Sequence, residues 1–189
     1  MKKFRVLLLL VTVLLMTSMS FSLLKVEGTY SVFAKQGGVG IGIGLPLVPL
    51  LDTTVYIHML GDANVTASAN YSGETFSGTT KMSATAVEVQ AKLPISIMDF
   101  NVGGTVLVDI LTGKESIGGK SVALPGSVYG GLFVHYQKSL MPLVSYYGQM
   151  GMLFKVIDGE KALNDKVTTG EFDMSNIDRS GMYFRAGLS

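Results

Sequence analysis

From Leu24 onward, apolar and polar residues alternate with a period of two. Successive side chains of a β-strand point to opposite sides, so this alternation predicts strands with unlike faces. In Leu24–Lys35, Val26, Gly28, Tyr30 and Val32 share one face, and Lys25, Glu27, Thr29, Ser31 and Phe33 share the other. Val39, Ile41, Ile43 and Leu45 alternate with Gly38, Gly40, Gly42 and Gly44. From Thr53 to Tyr71 one phase holds: Val55, Ile57, Met59, Ala63, Val65 and Ala67 oppose Tyr56, His58, Asp62, Asn64 and Thr66. The pattern recurs over Val87–Leu93, Phe100–Ile110, Val128–Tyr136, Val144–Val156 and Met182–Leu188. The sequence therefore predicts eight strands, an even number, with no convincing 3.6-residue stripe after the first segment.

The connections are unequal. Pro46 to Asp52, Pro94 to Met98 and Ser139 to Leu143 are short; Ser72 to Gly78, Leu111 to Pro125 and Ile157 to Arg179 are mostly longer. Short turns on one rim and long loops on the other suit a membrane barrel. Gln36-Gly37 is the exception, a tight turn on the long-loop side. Pro46, Pro94 and Pro142 recur every 48 residues, each in an apolar turn, where a strand must stop. Phe100, Tyr136 and Tyr146 fall on the apolar face near the short turns, as an interfacial girdle does.

Residues 1–22 read as a secretory signal peptide. Lys2, Lys3 and Arg5 precede an apolar run from Val6 to Met16, and Ser20-Phe21-Ser22 offers a cleavage site. Cleavage after Ser22 leaves 23–189 as one barrel domain. The mature chain then carries 12 basic and 14 acidic side chains, net −2. The formal charge of the full chain, +1, is too small for a nucleic-acid binder by charge alone. With no cysteine among the 189 residues, disulfides, a cysteine zinc site, a catalytic cysteine and a lipoprotein anchor are excluded. Charged residues make up 15% of the chain, too few for intrinsic disorder.

The signal peptide, dyad repeats and loop asymmetry together resemble the small outer-membrane β-barrels, the family of the OmpA transmembrane domain and OmpX. The resemblance is architectural and spans nearly the whole mature chain. It implies an eight-stranded antiparallel up-and-down transmembrane barrel in the outer membrane, surrounded by outer-membrane lipid and placed there by the barrel-insertion machinery. In that family the last strand ends in an aromatic; here Met182, Phe184, Ala186 and Leu188 keep the alternation, and the sequence reaches Ser189 without one.

In such a barrel the polar set lines the lumen. The expected inward network is Lys25, Glu27, His58, Glu88, Lys92, Asp109, His135, Lys155 and Arg185, with Tyr56, Tyr129, Tyr147 and Tyr183. Buried charges must be paired or hydrated, and Glu27 on the first strand is expected to pair with Arg185 on the last. The network is either a structural plug or the lining of a narrow pore. The inward glycines of the second strand are expected to be covered by Phe33, Tyr56 or His58.

Other chemistry finds little support. Gly38 to Gly44 lacks the spacing and following helix of a phosphate loop, and no Gly-x-Ser-x-Gly or His-Glu-x-x-His occurs. The two histidines stand on separate strands, so the expectation is a non-enzyme with no cofactor and no metal. The charged cluster from Asp158 to Arg179 reads as a solvated loop. The long loops offer surface for partners. The competing fold reading is a soluble lipocalin-like barrel that binds a ligand, with the apolar set inward.

Overall fold

The protein is described here from a computed structural model that covers residues 25–45, 51–71, 74–97, 99–114, 121–165 and 170–189. The expected signal peptide and the turn at Pro46 lie outside the described residues. Among the described residues nine strands form: β1 Lys25–Val32, β2 Gly37–Leu45, β3 Asp52–Tyr71, β4 Glu74–Ile97, β5 Phe100–Lys114, β6 Ser121–Met141, β7 Val144–Ile157, β8 Gly170–Asp173 and β9 Gly181–Leu188. Eight of them, all except β8, pair antiparallel in up-and-down order, and the β2–β3 pairing closes the wall. β9 lies between β7 and β1, with Val32 opposite Phe184 and Gly28 opposite Leu188.

The apolar set faces out and the polar set faces in. Ile41, Ile57, Val106, Leu132, Met152 and Phe184 are exposed on the outside, while Glu27, His58, Glu88, Asp109 and Arg185 are buried inside. The interior is fitted pair by pair. Gly40 stands opposite His58, Gly42 opposite Tyr56, Gly151 opposite Tyr183 and Gly187 opposite Tyr147. A methyl group added at Gly40, Gly42 or Gly151 would lie 2.5 Å from that neighbour's ring. Each glycine thus seats the large side chain directly across the ladder, as expected for the second strand, and β7 and β9 repeat the device.

The regular wall ends in irregularities at both rims. On the long-loop side the register shifts between Met59 and Asp62 on β3, at the β5–β6 pair beyond Val108, and at the β6–β7 pair beside Val128. On the short-turn side it shifts between Lys92 and Ser96, and between Ser139 and Met141. Pro94 to Ile97 belong to β4, so the expected turn at Pro94 to Met98 begins later, and Asp99 makes it with φ of 69°.

The β3 irregularity corrects the single phase expected from Thr53 to Tyr71. Gly61, at φ +79°, inserts one residue into β3. Below it Ile57 and Met59 face out; above it Ala63 and Val65 are buried, and Asp62 and Asn64 are exposed. The alternation continues in sequence while the strand changes which face meets the interior. Above Gly61 the hairpin has its polar side exposed and its apolar side inward.

That side roofs the barrel. Ala63, Val65, Met82, Ala84 and Leu111 pack with Met174 and Ile177, and Leu124 and Phe172 pack against them. Met174 and Ile177 arrive on the segment between β7 and β9, which contains helix α1 (Gly159–Asn164), β8 and a 3₁₀ turn at Ser175–Ile177. Asp158 caps α1, accepting from the backbone N–H groups of Glu160 and Lys161. The Asn164 side chain brackets Phe172, accepting from its N–H at 2.7 Å and donating to its carbonyl at 3.0 Å. The β2–β3 pairing ends where Val39 meets Met59, and β8 pairs with β3 higher up, from Thr66 to Ala69.

These packings separate two kinds of glycine. Gly151→Val forces Tyr183 from its seat and is expected to destabilise the barrel by about 1–3 kcal/mol. At outward Gly148 an added methyl meets nothing within 4 Å, and Gly148→Ala is expected to stabilise by about 0.5–1 kcal/mol. Equilibrium urea denaturation measures both; equal shifts from the two variants would contradict the seating argument.

Candidate functional site

The polar interior divides into three connected layers. The central one is built on Glu88. Its Oε1 accepts from Gln90 Nε2 and Thr105 Oγ1, both at 2.7 Å. Its Oε2 accepts from an Arg185 guanidinium nitrogen and lies 2.8 Å from His58 Nε2. A carboxylate only accepts, so His58 carries its proton on Nε2. Arg185 Nε also donates to Ser31 Oγ at 2.8 Å, and its guanidinium lies 4.5 Å from the Tyr56 ring centre. β4 and β9 stand on opposite sides of the barrel, so the Glu88–Arg185 pair ties wall to wall across the lumen.

The expected Glu27–Arg185 pair does not form. The register sets Arg185 opposite Ser31, with Glu27 two inward positions further along β1 toward the short-turn rim. Glu27 instead pairs with Lys25 at 2.6 Å and accepts from the Tyr56 hydroxyl. It belongs to the layer nearest the short turns. There Lys92 pairs with Asp52 at 2.7 Å, and His135 stacks on Tyr147 with ring centres 5.0 Å apart. The His135 ring nitrogens approach Gln149 at 3.3 Å and Gln137 at 3.4 Å. Gln149 donates to the Tyr183 hydroxyl at 2.7 Å, which links this layer to the centre.

The third layer lies beneath the roof. Arg179 Nε donates to Asp109 at 2.6 Å, and a second guanidinium nitrogen donates to Gln36 at 2.9 Å. Its backbone N–H donates to the Tyr129 hydroxyl at 3.3 Å, and its guanidinium lies 5.6 Å from the Phe33 ring centre. Arg179 is 1% exposed, which corrects the reading of its whole segment as a solvated loop. Lys155, at the edge of this layer, bridges Asp178 at 3.1 Å and Asp158 at 3.5 Å. Burial raises the Asp178 carboxyl, but donation from the Ser180 N–H and hydroxyl and the Lys155 charge outweigh it and hold the group below its ordinary value.

All nine residues expected in the lumen thus line it, with Lys25 and Lys155 at its two mouths. Sequence reasoning missed Arg179, Gln90, Thr105, Gln149 and Asp52 as partners. Neutral residues carry no charge signal, and Arg179 is hidden among exposed charges of its own segment. Between Asp109, Tyr129, Lys155 and Asp178 the remaining space is only about 10 Å³, at the lower limit for one water molecule. Among the described residues no serine hydroxyl bonds either histidine, and no three metal-ligating side chains converge. The arrangement is suited to cross-bracing and to filling space.

Comparison of the chain with family models, curated proteins and solved structures gave no match.

The cross-lumen pair sets the first expected outcome. Glu88→Gln leaves Arg185 buried without its counter-charge and is expected to cost about 3–5 kcal/mol. Adding Arg185→Met should recover much of that loss, and a double-mutant cycle by chemical denaturation measures the recovery. The roof sets the second. Arg179→Ala is expected to raise the rate of proteolytic cleavage between Asp158 and Ser180 while leaving the barrel strands protected. The Asp178 carboxyl titrates below the ordinary aspartate value, so its hold on Lys155 is fully present at neutral pH and is lost only on acidification past that ordinary value, about 3.9. The same cleavage rate should then be flat from pH 5 to 8 and climb below pH 4.

Proposed function

We propose that the protein is an outer-membrane β-barrel with a structural or cell-surface role, without catalysis and without an open pore. On this reading it is exported, cleaved near Ser22 and inserted by the barrel-insertion machinery. The resemblance to the OmpA and OmpX family points the same way. The observation that carries the reading is the inversion of the wall. Large aliphatic and aromatic side chains predominate on the outside of the barrel, and charged and polar groups fill the inside. Soluble monomers rarely expose an apolar patch beyond roughly 300–600 Å², whereas a lipid environment favours this arrangement.

The dimensions support it. On β5 the outward residues run from Phe100 to Ile110, about 33 Å along the strand, or about 25 Å of thickness at the usual tilt of about 40°. Phe100, Tyr136 and Tyr146 cluster at the short-turn end, with ring centres 5.2 and 6.3 Å apart, where an interfacial girdle belongs. At the other end Gly61 reverses the strand's phase at the level where hydrocarbon would stop. The tied lumen and the seated roof favour a closed barrel. The roof and the β3–β4 hairpin then present the surface available to partners outside the cell.

The test has two arms. The signal-free chain should need detergent to stay monodisperse and should migrate differently on a gel before and after heating; monodispersity in plain buffer would favour the soluble barrel instead. Planar bilayers containing the protein should stay silent, and steady conductance would replace the plug with a narrow pore. Leu132→Arg, halfway up the outer wall, should cost about 2–4 kcal/mol of stability in lipid vesicles, while Asn64→Arg above Gly61 should change it by less than about 0.5 kcal/mol.

A further inference from the structure

Along one hydrogen-bonded row of the outer wall stand Tyr30, Ala186, Gly148, Tyr136 and Phe100, on β1, β9, β7, β6 and β5. Two aromatic walls therefore flank a floor of one methyl group and one bare backbone. The trough between them holds about 480 Å³, with an almost wholly apolar lining. The inward glycines are emptied by a neighbour, but nothing within 4 Å of Gly148 explains its missing side chain. A glycine inside a strand often marks the close approach of something else.

The trough has a charged end. The next outward residue along β6 after Tyr136 is Lys138, which pairs in register with Tyr146. Asp99 directly precedes Phe100 on the adjoining strand. Both charges are exposed, and among the described residues neither is in an ion pair. A cation and an anion thus adjoin Tyr136 and Phe100, the wall of the trough nearest the short turns. The larger hollow over Gly104, Leu132 and Met152 has no charged residue in its lining.

We propose that this trough is a binding site for one zwitterionic phospholipid of the ethanolamine class. Lys138 takes the phosphate, Asp99 accepts from the headgroup ammonium, and one acyl chain lies over Gly148 and Ala186 between the tyrosine rings. The site selects the headgroup by charge on both sides, because a purely anionic headgroup meets Asp99 as a like charge. The inference rests on the membrane reading above, and its test is independent of that reading's detergent arm.

The experiment is native mass spectrometry of the folded full-length barrel, delipidated in detergent and titrated with phosphatidylethanolamine or with phosphatidylglycerol of the same chains. One phosphatidylethanolamine should remain bound, at least about tenfold more tightly than phosphatidylglycerol. Gly148→Leu, which fills the floor, and Lys138→Ala, which removes the cation, should each lower that affinity about tenfold. Gly104→Leu, the same change at the uncharged hollow, should leave it unaltered. Heat-shifted gel mobility confirms that each variant is folded; an added methyl meets nothing within 4 Å at Gly148 and only the Gly131 carbonyl oxygen at 3.7 Å, an ordinary contact, at Gly104. Equal binding of the two lipids, native affinity in Gly148→Leu or in Lys138→Ala, or a matching loss in Gly104→Leu overturns the proposal. A barrel that needs no detergent fails the membrane reading itself, a distinct result.

Discussion

One carboxylate organises the interior. Glu88 is 1% exposed and accepts from β9, β5, β3 and its own strand at once. A charge buried so deeply persists only when its lone pairs are met by donors held in place. Those donors hang from separate walls, so meeting them fixes the relative heights of the strands. The register then determines which ring falls on which inward glycine, and the packing of the lumen follows from the same alignment.

Much of the architecture was legible because its signal is local. A period of two needs only a few residues to be seen, and it located all eight barrel strands and the unlike character of their faces. It could not supply stagger. Glu27 and Arg185 stand on neighbouring strands, as expected, yet Arg185 faces Ser31 and finds its counter-ion across the lumen. Stagger depends on the closed ring of strands, and no single segment contains it.

The phase change at Gly61 was illegible for a related reason. An inserted residue leaves the alternation intact, so Ile57 and Val65 look equivalent along the chain while one is exposed and the other is buried. What the sequence does carry is a change in size, from Ile and Met below to Ala and Val above, and a glycine followed by aspartate between them. Arg179 shows the converse. It sits among Asp158, Glu160, Asp165 and Asp178, where composition suggests water, but the fold returns it to Asp109.

The kink at Gly61 has a broader meaning on the membrane reading. Two solvents compete for the same strand, and the boundary between them is encoded in the backbone, with the apolar–polar alternation unbroken across it. The height of the solvent-excluded belt then becomes a geometric variable. Moving one glycine along β3 would lengthen or shorten that belt without altering composition, a route by which a barrel of this kind can be matched to bilayers of different thickness.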